Sequence, residues 1–281
     1  MNSNQISLLI FTCEGREHLL PTTLQSLNKT CNYPFEHTIL AIDGQYSNET
    51  IKIVKPKFIV QNYNRRGYIQ SILNALKLVE TDFFFWLEDD WVFTQEIDLQ
   101  YLLEELNINP DWVQIRLSKT APLSSGEKKN SLTDRVYESI YGFSANPCLC
   151  RTNLVYQGFD ALKHESRDPT LGFEQFLSQW FDKQRLFCGV LDPGEESPIE
   201  HTGYLESTPR QWHMTASLNG ETNEYLSGMR GSPSPSIWRR LLMACKLTWA
   251  YYKVLICQLW QREAYDLAFR FVATTKKTKV R

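Results

Sequence analysis

One junction constrains this chain more than any other feature: five apolar residues, Phe83-Phe84-Phe85-Trp86-Leu87, run straight into three acids, Glu88-Asp89-Asp90. An unbroken apolar run of that length reads as a strand buried on both faces, which belongs in a parallel sheet covered by helices. Three adjacent carboxylates at its end repel one another and lose hydration, so something positive is expected among them. Hard oxygen ligands of this kind suit Mg²⁺ or Mn²⁺, and such a cation would in turn hold a diphosphate. The alternative is a solvated acidic turn.

The residues before the junction supply the rest of a sheet. Ile6 to Phe11 is a second apolar run, followed by the polar loop Thr12-Cys13-Glu14-Gly15-Arg16. Leu20, Thr23, Leu24 and Leu27 lie at helical spacing, with Pro21 acceptable in the first turn. Further strands are expected over 37–42, ending at Asp43-Gly44, and over 58–61. Ile69, Ile72, Leu73, Leu76 and Val79 make the stripe of a helix packed on a sheet. The order β, α, β, β, α, β implies an α/β fold whose ligands gather at the carboxyl ends of the strands. Thr12 to Arg16, Asp43 and Glu88 to Asp90 all fall on that rim. Beyond it we expect a helix over 96–106, strands over 112–117, 136–143 and 186–191, and a helix over 171–181.

Composition narrows the function classes. A formal charge of −2 favours neither nucleic-acid binding nor an acidic solvating chain. The charge is unevenly spread: residues 237–281 hold ten Lys or Arg against two acids, and the rest of the chain is acidic. Seven cysteines with no zinc-type spacing fit a reducing compartment. Without a basic, apolar leader or a long uncharged span, a cytoplasmic protein is expected. The Gly-, Ser- and Pro-rich stretch 219–236 reads as a linker between a domain over 1–218 and the basic tail over 237–281. Trp238, Trp249, Tyr251, Tyr252 and Trp260 among its bases suit an amphipathic helix at a lipid surface, or a helical hairpin packed on protein.

These motifs, in this order, resemble the GT-A fold glycosyltransferases, and family 2 in particular. Leu87-Glu88-Asp89-Asp90-Trp91 is similar to the acidic motif of that family, with Glu in its first place, and Ile6 to Thr12 with Arg16, Leu20, Leu24, Ser26 and Leu27 resembles its first strand and helix. The resemblance covers about residues 5–205 and implies a GT-A fold with a mostly parallel central sheet. It also implies a nucleotide-sugar donor, a glycan or lipid-linked acceptor, Mn²⁺ or Mg²⁺ as cofactor, no nucleic-acid partner, and a place in glycan biosynthesis. Donor contacts are then expected from Thr12, Glu14, Arg16, Asp43, Glu88 and Asp89, and from Arg65, Arg66 and Gly67 in the loop opened by Asn64. Metal contacts are expected from Glu88, Asp90 and His201, the last in a Glu200-His201-Thr202-Gly203 segment similar to the family's late His-x-Gly. The second strand ends Ile42-Asp43-Gly44 without the double acid common in the family, which leaves the base open.

Gly172-Phe173-Glu174-Gln175 stands where the family places its acceptor-side carboxylate, so Glu174 is the expected catalytic base, with Glu165 and Asp168 as weaker substitutes. The alternative for Glu174 is an acid favoured by a helix N-terminus. Ser144-Ala145-Asn146-Pro147 resembles an acceptor-side loop, without a definite role for Asn146. Inverting transfer to a hydroxyl, by an enzyme peripheral to the inner face of a membrane, is the expected activity. A nucleotidyltransferase and a non-catalytic glycan-binding or scaffold protein are the rival readings.

Overall fold

The computed structural model describes residues 5–63, 68–164, 172–202 and 248–249. The expected apolar runs are strands: β1 (Ile6–Cys13), β2 (Thr38–Asp43), β3 (Phe58–Asn62) and β4 (Phe83–Glu88). A short strand β5 (Trp91–Phe93) follows the acids. β6 (Trp112–Arg116), β7 (Val136–Glu138), β8 (Cys148–Arg151), β9 (Phe187–Leu191) and β10 (Ile199–His201) complete the set. Helices α1 (Leu20–Thr30), α2 (Asn48–Val54), α3 (Tyr68–Leu76), α4 (Leu99–Ile108), α5 (Thr152–His164) and α6 (Phe173–Lys183) connect them.

Eight strands form one sheet in the order β3-β2-β1-β4-β8-β6-β9-β7. The first four run parallel, β8 and β7 run against their neighbours, and β6 pairs parallel with β9. Every β1 residue is buried, as a central parallel strand requires. Leu8 and Ile10 pack with α1 and α4 through Leu20, Leu27, Leu102 and Leu106 on one side. Leu9 and Phe11 pack with α3, α5 and α6 through Ile72, Phe159 and Leu177 on the other. Trp86 lies in this second core, 4.5 Å from Phe11 and stacked on Phe159. Its full burial is worth about 2–3 kcal/mol.

Four elements differ from the pattern read in the sequence. The β2–β3 connection contains α2, seven residues whose only buried member is Thr50, capped by the Ser47 side chain. The strand expected over 136–143 stops at Glu138, because the chain then leaves the sheet in a loop that leads to β8 and bonds to Gln114 of β6 and to α6. Val79 lies beyond α3, and the helix expected from 96 begins at Leu99, behind the Asp98 cap. Two elements add to the pattern: α5, and the two-stranded sheet of β5 and β10, which sets His201 opposite Trp91.

The chain divides into two compact units, Met1–Ser227 and Gly228–Arg281. The linker and almost all of the tail lie outside the described residues, apart from Thr248 and Trp249, which are helical. Among the described residues no helix is long and apolar enough to cross a membrane.

Candidate active site

The parallel register brings three strand ends together, with Cys13 beside Asp43 and Phe11 beside Glu88. After Glu88 the chain turns, and Asp89 and Asp90 are buried at 3% and 4% exposure. Asp89 accepts from Thr12 Oγ1 at 2.6 Å and from Arg16 Nη2 at 2.7 Å and Nε at 3.1 Å. The same Arg16 Nη2 reaches Asp90 Oδ2 at 2.5 Å. The positive charge that the acids demand is therefore supplied by the chain itself. Gly15, at φ +88, gives the loop after β1 the left-handed turn that precedes Arg16.

The backbone of the turn is tied as firmly. Thr23 Oγ1 of α1 donates to the Asp89 carbonyl at 2.6 Å, and Thr202 N donates to the Asp90 carbonyl at 2.9 Å. His201 Nε2 lies 2.9 Å from Asp90 Oδ2, with its ring stacked on Trp91. Burial pushes the Asp89 carboxyl up to about 6 against the pull of Arg16 and Thr12. Burial also opposes the charge of Asp90, but His201 and Arg16 outweigh it and hold this carboxyl below the usual range. Asp90 Oδ1 is buried and meets no hydrogen-bond donor among the described residues.

Glu88 belongs to a different neighbourhood. By strand alternation it shares the face of Phe84 and Trp86. Burial, then the Cys150 thiol and the charge of Glu88, push the Cys148 thiol well up, which places Glu88 near β8. Of the three expected metal contacts, Asp90 and His201 meet, and among the described residues no three His, Cys, Asp or Glu side chains are placed to hold a metal ion.

On that same face the loop between β7 and β8 is held mostly by neutral groups, with one carboxylate among them. The Gln114 amide, buried on β6, donates to the Ser144 carbonyl at 3.0 Å and accepts from Ser144 N at 3.2 Å. Phe143 N donates to Ser178 Oγ at 2.9 Å, and Ala145 N donates to Glu174 Oε1 at 2.7 Å. Gly142, at φ +65, passes so close to Ser178 that a Cβ there would lie 2.4 Å from Oγ. Glu174 stands in the first turn of α6, half-buried, with one oxygen committed to the loop that resembled an acceptor-side segment.

A sequence model described as "Glycosyl transferase family 2" matches residues 7–162, more than half of the chain. The chain belongs to glycosyl transferase family 2. The GT-A fold with a mostly parallel central sheet, expected from the resemblance, is borne out by this match and by the observed topology. Among solved structures, S. aureus TarS 1–349 is similar with a TM-score of 0.50 and 17% identity over 71% of this chain and 60% of that one, a likeness of fold. The same protein in complex with UDP gives a TM-score of 0.49 and 18% identity over 67% and 58%. The chain thus spans about three fifths of the TarS chains it matches. No curated protein sequence matches it.

Within this family 2 domain, the remaining expected residues distribute as follows. Asp43 ends β2 at 1% exposure. Glu14 is exposed and its Oε2 accepts from Gln45 N at 3.0 Å, joining the loops after β1 and β2. Arg65, Arg66 and Gly67 lie outside the described residues, as do Glu165 and Asp168. Thr23, Trp91, Thr202, Gln114 and Ser178 were not expected at the site. Thr23 had a signal, a hydroxyl in the apolar stripe of α1, and Gln114 had another, an amide in the apolar run of β6.

Proposed function

We propose that this family 2 enzyme transfers a sugar from a nucleoside-diphosphate sugar to a hydroxyl of a glycan or lipid-linked acceptor, with inversion and dependence on a divalent cation. The observation that carries the reading is Asp90 Oδ1, a buried carboxylate oxygen that meets no donor among the described residues, at the rim where the strand ends meet. An oxygen so placed is costly unless a ligand completes it. It fits Mg²⁺ or Mn²⁺, which take one or two carboxylates and fill the remaining positions with water and substrate phosphates. Asp90 would hold the ion, beside His201, and the ion would supply neutralisation of charge on the leaving diphosphate.

The chain's own groups account for the rest. Glu174 takes the proton from the acceptor hydroxyl as its oxygen bonds to the anomeric carbon, and the bond from that carbon to the diphosphate breaks with its electrons leaving on phosphate. Ala145 fixes Glu174 Oε1, which orients the other oxygen for this task. Thr12, Glu14, Arg16, Asp43, Arg65, Arg66, Gly67, Glu88 and Asp89 are the proposed donor-side residues, Arg16 and Asp89 by holding the acidic turn in place. The basic tail is proposed to rest on the cytoplasmic face of a membrane.

Thermal denaturation with UDP, GDP and dTDP, each with and without Mn²⁺, tests the reading. One nucleotide is expected to raise the melting temperature more with Mn²⁺ than without, and Asp90→Asn to remove that metal-dependent part. No shift with any nucleotide in Mn²⁺ would refute it.

A further inference from the structure

The acidic turn has its own cation. Arg16, in the loop after β1, is buried at 9% exposure and donates to both aspartates. With both carboxylates ionised, the cluster of Arg16, Asp89 and Asp90 carries a single net negative charge. Asp89 is engaged by Thr12 and Arg16, and Asp90 Oδ2 by Arg16 and His201, whereas Asp90 Oδ1 is buried and meets no donor among the described residues. A guanidinium nitrogen 2.5 Å from the sister oxygen repels any divalent ion that approaches it.

We propose that Arg16 is a resident counter-charge that closes the Asp89–Asp90 pair to a divalent cation arriving alone, so that the cation enters together with a nucleoside diphosphate. The proposal rests on the reading of Asp90 as the cation's carboxylate. A diphosphate brings the negative charge and the oxygens that the pair, half-neutralised by Arg16, withholds. Arg16 is thus a positioning residue that acts through the two aspartates. It makes metal uptake conditional on the donor.

The experiment measures Mn²⁺ binding directly, by loss of the free-ion electron paramagnetic resonance signal, at pH 8. Wild type, Arg16→Gln, Arg16→Lys and Asp90→Asn are each titrated alone and with UDP, GDP or dTDP, against protein-free nucleotide controls. Wild type is expected to bind Mn²⁺ weakly alone and more tightly with one of the diphosphates. Arg16→Gln is expected to bind Mn²⁺ alone about tenfold or more tighter than wild type, since removing one close charge changes the attraction by at least that factor. Arg16→Lys keeps the charge but cannot fork across two carboxylates, and falls between the two.

If Asp90→Asn abolishes binding while Arg16→Gln matches wild type, the counter-charge idea is wrong and the metal reading stands. If Asp90→Asn binds Mn²⁺ as wild type does, the metal reading itself fails and takes this inference with it. Should Arg16→Gln fail to fold, wild type still decides: Mn²⁺ bound as tightly alone as with every diphosphate overturns the proposal.

Discussion

The two sides of the candidate site are held by opposite kinds of force. The turn of Asp89 and Asp90 is fixed by a buried guanidinium and two carboxylates, whereas the loop over 139–147 is fixed by amides, a hydroxyl and one carboxylate oxygen. Charges in a buried cluster are strong together and costly apart, because each depends on its partner to offset lost hydration. Neutral hydrogen bonds contribute about 1 kcal/mol each and fail singly. The first side is therefore expected to hold or collapse as a unit, and the second to loosen by degrees.

The largest effect asked of this contrast falls on Glu174, which belongs to the neutral side by its bond to Ala145 and to the chemistry by proposal. Glu174→Gln keeps an oxygen for Ala145 N and loses the base, so the transfer rate is expected to fall about 10²- to 10⁴-fold with little change in stability. Steady-state kinetics and urea unfolding on the same preparation check it. Unchanged turnover would leave Glu174 as a clasp for the loop and nothing more.

Asp89→Ala tests the charged side. It strips Arg16 of its principal partner in a buried setting, and a loss of about 3–5 kcal/mol in unfolding free energy is expected. A loss below about 1 kcal/mol would show that solvent reaches the cluster and that the electrostatic account of this turn is wrong. Gly142→Ala is the matching test on the neutral side. The left-handed backbone and the contact with Ser178 set its cost at about 1–3 kcal/mol. Its effect on acceptor turnover should exceed its effect on nucleotide-induced thermal shifts, because the disturbed loop leads to Glu174 rather than to Asp90.

What was legible in the sequence follows the same division. Strands buried on both faces announce themselves, because every position must be apolar, and the acids at the end of β4 announce a need for positive charge. Which group meets that need was not legible: Arg16 is 73 residues from Asp89 and becomes its neighbour only when β1 and β4 pair. Arg16 was read as a donor contact because a loop arginine near a phosphate site has two uses, and spacing alone does not choose between them. Helix α2 was missed because it buries almost nothing. Helix α5 was missed for a subtler reason: its buried stripe of Val155, Gly158, Phe159 and Leu162 is interrupted by a glycine. That glycine is where Phe181 of α6 packs, and a Cβ there would meet its ring at 2.6 Å.

The smallest expected effect is the most direct comparison of how tightly the two sides are closed. Cys13 lies at the end of β1 beside Asp43 on the charged side, and Cys148 and Cys188 lie under the loop of the neutral side, all three as buried thiols. Burial pushes the Cys148 and Cys188 thiols up, so at pH 7 almost none of the reactive thiolate is present on that side. In a Cys245→Ser, Cys257→Ser background, a thiol reagent at pH 7 should label no native thiol within minutes and all five under denaturant. Modification would then require local opening, and the region that opens first is identified by which cysteine reacts. Labelling of Cys148 and Cys188 ahead of Cys13 would confirm that the loop held by neutral bonds is the looser wall of the site. Labelling of Cys13 first would reverse the order of strength argued from the bonds, and would mean that the buried charges hold their side less firmly than a few well-placed amides hold theirs.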